Sequence, residues 1–347
     1  MAWRFARFEK RPVDGHLPAL TGLRFLLALW VMLHHLTGPG MRLDAVARTW
    51  PHPVYAFIRG GYLAVATFFV LSGFVLARSY GSGGWHGDRL RRYAVARFAR
   101  IYPVYALSLA LVAPFVLADR ASGKPGLIAN YGLLLQGWTG HLPVGWNTPA
   151  WSLSCEIFFY ICFPLTVVAL RRVNPGVLAV AACLLTRVLF AVGVHDEWKP
   201  LVHFADFTMG IAAASLYDRL LQARRRPAGY WFYLPGAALG AALIAWPELL
   251  PGGVDLNSAL RPLNAMLLVG FALGSGVAAR ALSSRLAVFL GKSSYAMYIL
   301  HVPVLWWVRR WALDFSDAGY VALVILISSV VYRYVEEPAN RYIRAWV

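Results

Sequence analysis

Apolar stretches of roughly membrane-spanning length recur ten times along the chain, near residues 17–36, 55–77, 101–118, 151–170, 177–194, 201–217, 230–247, 262–280, 294–311 and 319–336. About 20 apolar residues let a helix cross the hydrocarbon core, where lipid offers nothing to an unpaired backbone N–H or C=O. The pattern predicts an all-α fold, a polytopic transmembrane helical bundle of about ten spans. A further apolar piece, 127–137, is too short to cross and fits a re-entrant or interfacial segment.

Polar positions between these stretches give the bundle a direction. Segments 78–100, 171–175, 219–226 and 280–292 hold most of the arginines, among them Arg89, Arg91, Arg92, Arg97, Arg100 and the run Arg224, Arg225 and Arg226. Segments 119–124, 195–200 and 247–260 are mixed or poorer in charge. Because cytoplasmic loops carry the excess of Lys and Arg, both termini are expected in the cytoplasm. If 127–137 crossed, Arg224–Arg226 would lie outside, against that bias. The basic start MAWRFARFEKRP is followed by no small-residue cleavage site, so 17–36 is expected to be a retained first span. No low-complexity linker divides the chain, and the expectation is a single membrane domain, 1–347, in the cytoplasmic (inner) membrane.

Composition agrees. The 347 residues are 59% hydrophobic and 14% charged, against about 45–50% and about 25% in soluble domains. The net charge of +17 lies in loops between spans, which reads as topology and contact with anionic lipid. No nucleic-acid-binding motif is present, and no nucleic-acid partner is expected. Cys155, Cys162 and Cys183 lie in apolar segments without CxxC or Cys/His metal spacing, so they read as packing residues and no metal is expected.

Candidate chemistry begins in the run LRFLLALWVMLHH at 23–35. Arg24 and His35 are just over three turns apart and project from one face, offset by about 20°, while His34 falls about 80° away. Ionisable residues inside a span mark functional sites by default, since the bilayer makes them costly. The competing reading is Arg24 snorkelling to one interface and His35 in the headgroups at the other.

Four further stretches carry polar residues that a bundle does not require. RLRRYAVARFARIYPVY (89–105) sets Arg97 and Arg100 one turn apart before Pro103, which is expected to break the backbone. Such arginines can fork onto phosphate oxygens, or serve as interfacial anchors. NTPAWSLSCEIFFYICFP (147–164) puts Glu156 and Tyr160 on one face, preceded by Asn147 and Trp151 at the outer boundary. A carboxyl within a span must be protonated or paired. GKSSYAMYILHVP (291–303) brings Ser294, Tyr295, Tyr298 and His301 back at three-residue steps, a polar line that lipid cannot satisfy. YRYVEEPANRYIRAW (332–346) places Glu336, Glu337 and Pro338 where the last span is expected to end, with Glu337 as a cap. Trp138, His141, Trp146, His203 and Asp206 are candidates for an outer acceptor surface, although interfacial aromatics explain most of them equally well. Ser72 and Ser152 lack the turn that exposes a nucleophilic serine and read as small contact residues.

Over residues 19–344 the chain resembles the acyltransferase 3 family of integral membrane acyl-CoA-dependent O-acyltransferases. The resemblance rests on ALTGLRFLLALWVMLHH (19–35), FFVLSGFVLA (68–77), RFARIYPVY (97–105), WSLSCEIFFYICFP (151–164), GKSSYAMYILHVP (291–303) and YVEEPANRY (334–342), in that order. The opening LTGLRF and the size look most like members without a fused extracellular domain, which acylate polysaccharides, lipid-linked sugars or macrolides.

The resemblance implies that Arg24 and His35 are essential, with His35 rather than His34 in the catalytic position. It implies that Arg97 and Arg100 serve the acyl donor, with Arg92 as a further contact, and that Glu156 is the family's acidic residue after Trp-Ser-Leu. Cys155 stands where many relatives have an aliphatic residue, and Arg97 and Arg100 are three apart where related sequences often space them by two. The implied co-substrate is acyl-CoA, expected to be acetyl-CoA, with no permanently bound cofactor. The implied acceptor is the hydroxyl of a glycan or glycosylated small molecule, and Asn147, Trp151, Tyr160, Tyr298 and His301 are candidates for holding it. His35 is expected to act as general base and Arg24 to stabilise the oxyanion, with an acyl-histidine route as the variant. Two other classes fit intramembrane Arg, His and Glu. One is a transporter or flippase of an amphiphile, against which the absence of a clear internal repeat counts. The other is a membrane-bound O-acyltransferase of a different superfamily, in which His301 would be the essential histidine.

Overall fold

The computed structural model describes residues 17–38, 41–118, 125–139, 146–170, 172–194, 198–252 and 254–347. Its regular structure, among the described residues, is helical throughout. In chain order the first helices are α1 (Pro18–Leu36), α2 (Arg42–Ala47), α3 (His52–Arg59), α4 (Ala64–Tyr80) and α5 (Gly87–Ala118). There follow α6 (Pro125–Gly132), α7 (Trp151–Leu170), α8 (Pro175–Ala191), α9 (Lys199–Gln222) and α10 (Tyr230–Ala245). The last are α11 (Leu256–Leu273), α12 (Val277–Leu282), α13 (Arg285–Arg310), α14 (Asp317–Val331) and α15 (Glu337–Arg344).

The ten apolar stretches are mostly helical, although 262–280 is interrupted at Gly274 between α11 and α12, and 55–77 runs from α3 through a short 3-10 turn at Gly60–Leu63 into α4. Seven helical segments among the described residues are long and apolar enough to cross a membrane: Pro18–Leu36, His52–Tyr80, Gly87–Ala118, Thr148–Leu170, Leu256–Leu273, Arg285–Arg310 and Asp317–Arg344. Helices α8 and α10 are apolar but shorter. The 127–137 piece holds only the end of α6, a helix of eight residues, and the turns after it.

Local sequence sets the helix ends. Asn174 Oδ1 accepts from Gly176 N at 2.9 Å with Pro175 in the first turn, Asp255 caps α11 through Ser258 N, and Ser316 caps α14 through Gly319 N. Gly274, at φ +74°, closes α11 in the left-handed region that glycine enters without penalty.

Two proline expectations are corrected. Pro103 does not break α5, which runs on through Pro103 and Pro114 to Ala118. Beside these prolines, side chains donate to other α5 carbonyls, the buried Tyr295 Oη to Ile101 O at 2.6 Å and the half-buried Trp307 Nε1 to Leu111 O at 2.9 Å. Pro338 does not stop the last helix either. Residues 332–336 form a wide π-helical turn, and Pro338 then opens α15, where a missing N–H costs nothing.

The chain packs as two compact units. The first comprises residues up to Gly84 with Cys162–Val194 and Leu201–Gly291. Here α4 and α9 touch through backbone: a Cβ on Gly73 would lie 2.0 Å from Phe207 O, and one on Gly210 would lie 2.0 Å from Val70 O. Small residues allow this approach where lipid gives no hydrophobic drive to association. Leu63, Ile244 and Leu260 form a buried cluster with Trp30 against it.

The second unit comprises Trp85–Ile161, His195–Pro200 and Lys292–Val347. Val112, Val116, Tyr131 and Trp146 form its buried cluster, with Trp306 packed on it. Tyr105 fastens α5 beside this cluster by donating to Tyr131 O at 2.6 Å.

Candidate active site

In the first unit, His34 and His35 occupy the last turn of α1. His35 Nδ1 lies 2.9 Å from Val31 O, one turn back on its own helix. A carbonyl oxygen only accepts, so Nδ1 carries the hydrogen, and in the neutral ring the lone pair sits on Nε2. His34 Nδ1 reaches across to Arg59 O, at the end of α3, at 2.6 Å. Arg59 in turn donates to Thr37 O just past α1. The chain after α3 presses on α1 at the same level, since a Cβ on Gly61 would meet Trp30 O at 2.2 Å and the His34 Cβ at 2.8 Å. His34 therefore staples two elements, while His35 is oriented by its own helix. Arg24 and His35 are both half-buried on α1.

Beyond α1, Asp44 accepts from Arg48 Nε at 3.0 Å and from Tyr55 Oη at 3.2 Å. The Arg48 guanidinium holds the Asp44 carboxyl below the usual carboxylate range.

The second unit gathers five residues that the sequence nominated from three segments, Arg97, Arg100, Glu156, Tyr160 and Tyr295. Arg97 lies over the rings of Tyr93 and Tyr160, 5.8 and 5.6 Å from their centroids. Tyr160 donates to Glu156 Oε1 at 3.1 Å, and Tyr93 donates to Tyr160 O at 3.0 Å. Arg100, one turn beyond Arg97, lies over the Tyr295 ring at 5.2 Å and forms an ion pair with Glu336. Aromatic faces attract a guanidinium through their quadrupole, and carboxylates supply counter-charge, so two arginines can be held in apolar surroundings. Arg92 lies on the exposed side of α5.

Glu336 was the residue missed. Its carboxyl is 2% exposed in residue terms, whereas neighbouring Glu337 pairs with Arg333 at 2.7 Å on the surface. Consecutive helical residues point about 100° apart, so two adjacent glutamates at a helix end need not share one environment. That was the available signal.

The remaining nominated residues form a second polar cluster in this unit. Asn147 Nδ2 donates to Ile299 O at 2.8 Å and to Ser108 Oγ at 3.1 Å. Ser152 Oγ lies 2.8 Å from Tyr298 Oη, and Tyr298 donates to Pro149 O at 3.0 Å. His301 Nδ1 lies 2.8 Å from Tyr298 O, and Tyr320 donates to His301 O. Ser294, Tyr295, Tyr298 and His301 are all buried, as a polar line excluded from lipid must be. Lys199 Nζ stands 5.0 Å over the Trp151 ring.

Of the outer-surface candidates, Trp138 packs edge-on against Phe158 and Trp198, and Trp146 stacks on Tyr131. His203 and Asp206 lie in the first unit, bonded to each other at 2.8 Å. His141 lies outside the described residues. Among the described residues, no group of three or more His, Cys, Asp or Glu is placed to hold a metal ion.

A protein-family model described as an acyltransferase domain matches residues 17–333. The chain is similar to acyltransferase MdmB of Streptomyces mycarofaciens, 29% identical over 380 aligned positions that cover 94% of this chain and 92% of that protein. It is also similar to O-acetyltransferase OatA of Staphylococcus aureus (strain NCTC 8325 / PS 47), 22% identical over 382 positions that cover 97% of this chain and 59% of that protein. The chain thus spans less than two thirds of the length of the second relative. No solved structure matches the chain significantly.

Proposed function

The chain belongs to the acyltransferase 3 family, and from that premise we propose that it moves an acyl group, acetyl in the first instance, from acyl-CoA to a hydroxyl of a sugar-containing acceptor. The acceptor class is a cell-surface polysaccharide, a lipid-linked glycan or a macrolide-type product. The protein is a multi-pass membrane acyltransferase. In this reading its ten apolar stretches all span the cytoplasmic membrane as one domain, with both termini inside.

The roles fall on side chains of suitable chemistry. His35 Nε2 takes the proton of the acceptor hydroxyl, the oxygen attacks the thioester carbonyl carbon, and the carbon–sulfur bond breaks. The imidazolium then returns the proton to the departing CoA thiolate. Arg24 stabilises the oxyanion as it forms. Arg97 and Arg100, with Arg92, hold the phosphates of CoA, and Glu156 keeps Tyr160 and the arginine cluster in register. Asn147, Trp151, Tyr298 and His301 bind the acceptor.

The observation that carries the reading is the bond from His35 Nδ1 to Val31 O. It fixes the hydrogen on Nδ1, so that the neutral ring carries its lone pair on Nε2, the arrangement a general base needs.

The test is purified protein with acetyl-CoA and a panel of glycans, glycolipids and macrolides, following the free thiol of CoA and the mass of the acetylated product. Transfer that survives His35→Ala, or is lost in His34→Ala at intact folding, would overturn the assignment. Movement of an amphiphile across vesicles without thiol release would replace it with transport.

A further inference from the structure

From Arg333 onward, the outer surface of the second unit's last helical stretch mixes guanidinium groups with aromatic rings. Arg333, Arg341 and Arg344 are exposed, and so are Tyr334, Tyr342 and Trp346, at 74%, 68% and 60%. Their side-chain charges do not balance. Glu337 Oε2 lies 2.7 Å from Arg333 Nη1 and 4.0 Å from Arg341 Nη2, one carboxylate between two guanidiniums. Arg344 adds a third cation, and the other acidic residue of this stretch, Glu336, is engaged by Arg100 in the interior. Arg341 and Arg344, three residues apart, are like charges on neighbouring positions of one helix. Arg91 of α5 is exposed as well and donates from Nη2 to Trp346 O at 3.1 Å, which brings a further cation to the same face.

Helix length sets the level of this face. Asp317–Arg344 is a helical run of 28 residues, apolar enough to cross a membrane. At 1.5 Å per residue it measures about 42 Å, about 12 Å more than the hydrocarbon core takes. That surplus matches α15, which has eight residues, so α15 sits among the headgroups when α14 lies in the core. Tyr and Trp anchor helices at that level, and arginines interleaved with them fit an anionic surface. Water alone would suit the guanidiniums but not three exposed rings. Acyl chains alone would suit the rings but not the guanidiniums.

We propose that the outer face of α15 docks the headgroup of an anionic phospholipid, one that carries a phosphodiester and no ammonium group. Arg341 and Arg344 donate to the phosphodiester oxygens. Tyr342 and Trp346, in edge contact at 5.5 Å, lie against the glycerol and the upper acyl chain. No bond is made or broken at this site. The inference goes beyond acyl transfer and does not depend on it.

Photo-crosslinking tests this. The full chain, in nanodiscs of phosphatidylcholine, receives a trace of phosphatidylglycerol carrying a diazirine near its glycerol backbone, or the matched phosphatidylcholine. After irradiation, cross-links to residues 332–347 are mapped by peptide mass spectrometry. Phosphatidylglycerol is expected to label this stretch in excess of phosphatidylcholine. Arg341→Gln with Arg344→Gln should cut that excess about fivefold for each arginine lost. Arg224→Gln with Arg225→Gln removes the same charge from exposed positions of the first unit and should leave the excess unchanged. Equal labelling by the two lipids, or equal losses in the two double variants, overturns the proposal. Loss of both labels together in Arg341→Gln with Arg344→Gln also overturns it, since the arginines would then hold α15 in place rather than recruit a headgroup. Release of the label by excess coenzyme A would give the face to a soluble anion and overturn it too. No acyl group is transferred in the assay, so the result reads the same whether or not the acyl-transfer reading stands.

Discussion

The two units hold polar groups in an apolar setting by different means. In the first, the imidazoles of His34 and His35 are aimed by backbone carbonyls of Arg59 and Val31. In the second, Arg97 and Arg100 keep their charge and are surrounded by Tyr93, Tyr160 and Tyr295 faces, with the Glu336 carboxylate beside Arg100. A neutral ring needs only direction, so one carbonyl suffices. A guanidinium needs compensation, so it recruits several residues from distant parts of the chain. The difference separates groups suited to moving a proton from groups suited to holding an anion.

The largest effect that tests this contrast is on rate. His35→Ala should lower acyl transfer by about 10²- to 10⁴-fold, the usual worth of a general base, measured as CoA thiol release. His34→Ala should keep transfer and instead lower thermal stability, because it unfastens α1 from Arg59. Reversed outcomes would erase the distinction between the neighbours.

Next in size is the second unit's ion pair. Glu336→Leu strands Arg100 beside apolar surroundings and should destabilise the protein by about 3 kcal/mol, read as a fall in melting temperature in detergent. Adding Arg100→Met should restore most of that stability while leaving acetyl-CoA binding weakened. A double variant no more stable than the single one would show that the pair is not the source of the loss.

Smaller still is Tyr160→Phe, which removes the bond to Glu156 and should cost about 1 kcal/mol, with a raised KM for acetyl-CoA. The smallest effect belongs to Asp44. Its carboxyl is held low by Arg48, so its stabilisation is present above the unfolded carboxylate pKa and is lost as pH falls through the folded value. Asp44→Asn should therefore lower stability slightly at neutrality and flatten the acid limb of a stability–pH curve, with no difference from the parent once Asp44 is protonated.

Much of the architecture is legible in hydropathy alone, because spanning length and apolar composition are local properties. The ten stretches are mostly helical, and the polar line Ser294, Tyr295, Tyr298 and His301 is buried as three-residue spacing implies. The nominated residues Arg97 and Glu156 share Tyr160, which the sequence offered as an i, i+4 partner of Glu156 and as a candidate for holding the acceptor. What spacing does not carry is pairing across the fold. Arg100 finds Glu336 across 236 positions, and Arg261 finds Asp206 across 55. No local pattern selects such partners, since they are chosen by which helices pack together. The Pro338 expectation failed for a related reason: the residue sits in the first turn of α15, where a missing N–H costs nothing, and a reading that ends the span at 336 cannot place it there.

The wide turn at 332–336 has a consequence for chain length. A turn of this kind accommodates one residue more than an α-helical turn, so a single deletion within it can be absorbed as ordinary helix without breaking the backbone. Because the wide turn takes up its extra residue within about one revolution, excising Val335 would leave the helix on either side close to its original facing. The Glu336 carboxylate would stay directed at its guanidinium, and the change would fall on the side chains inside the turn. Length variation at this point is thus buffered, and the arginine cluster is insulated from it.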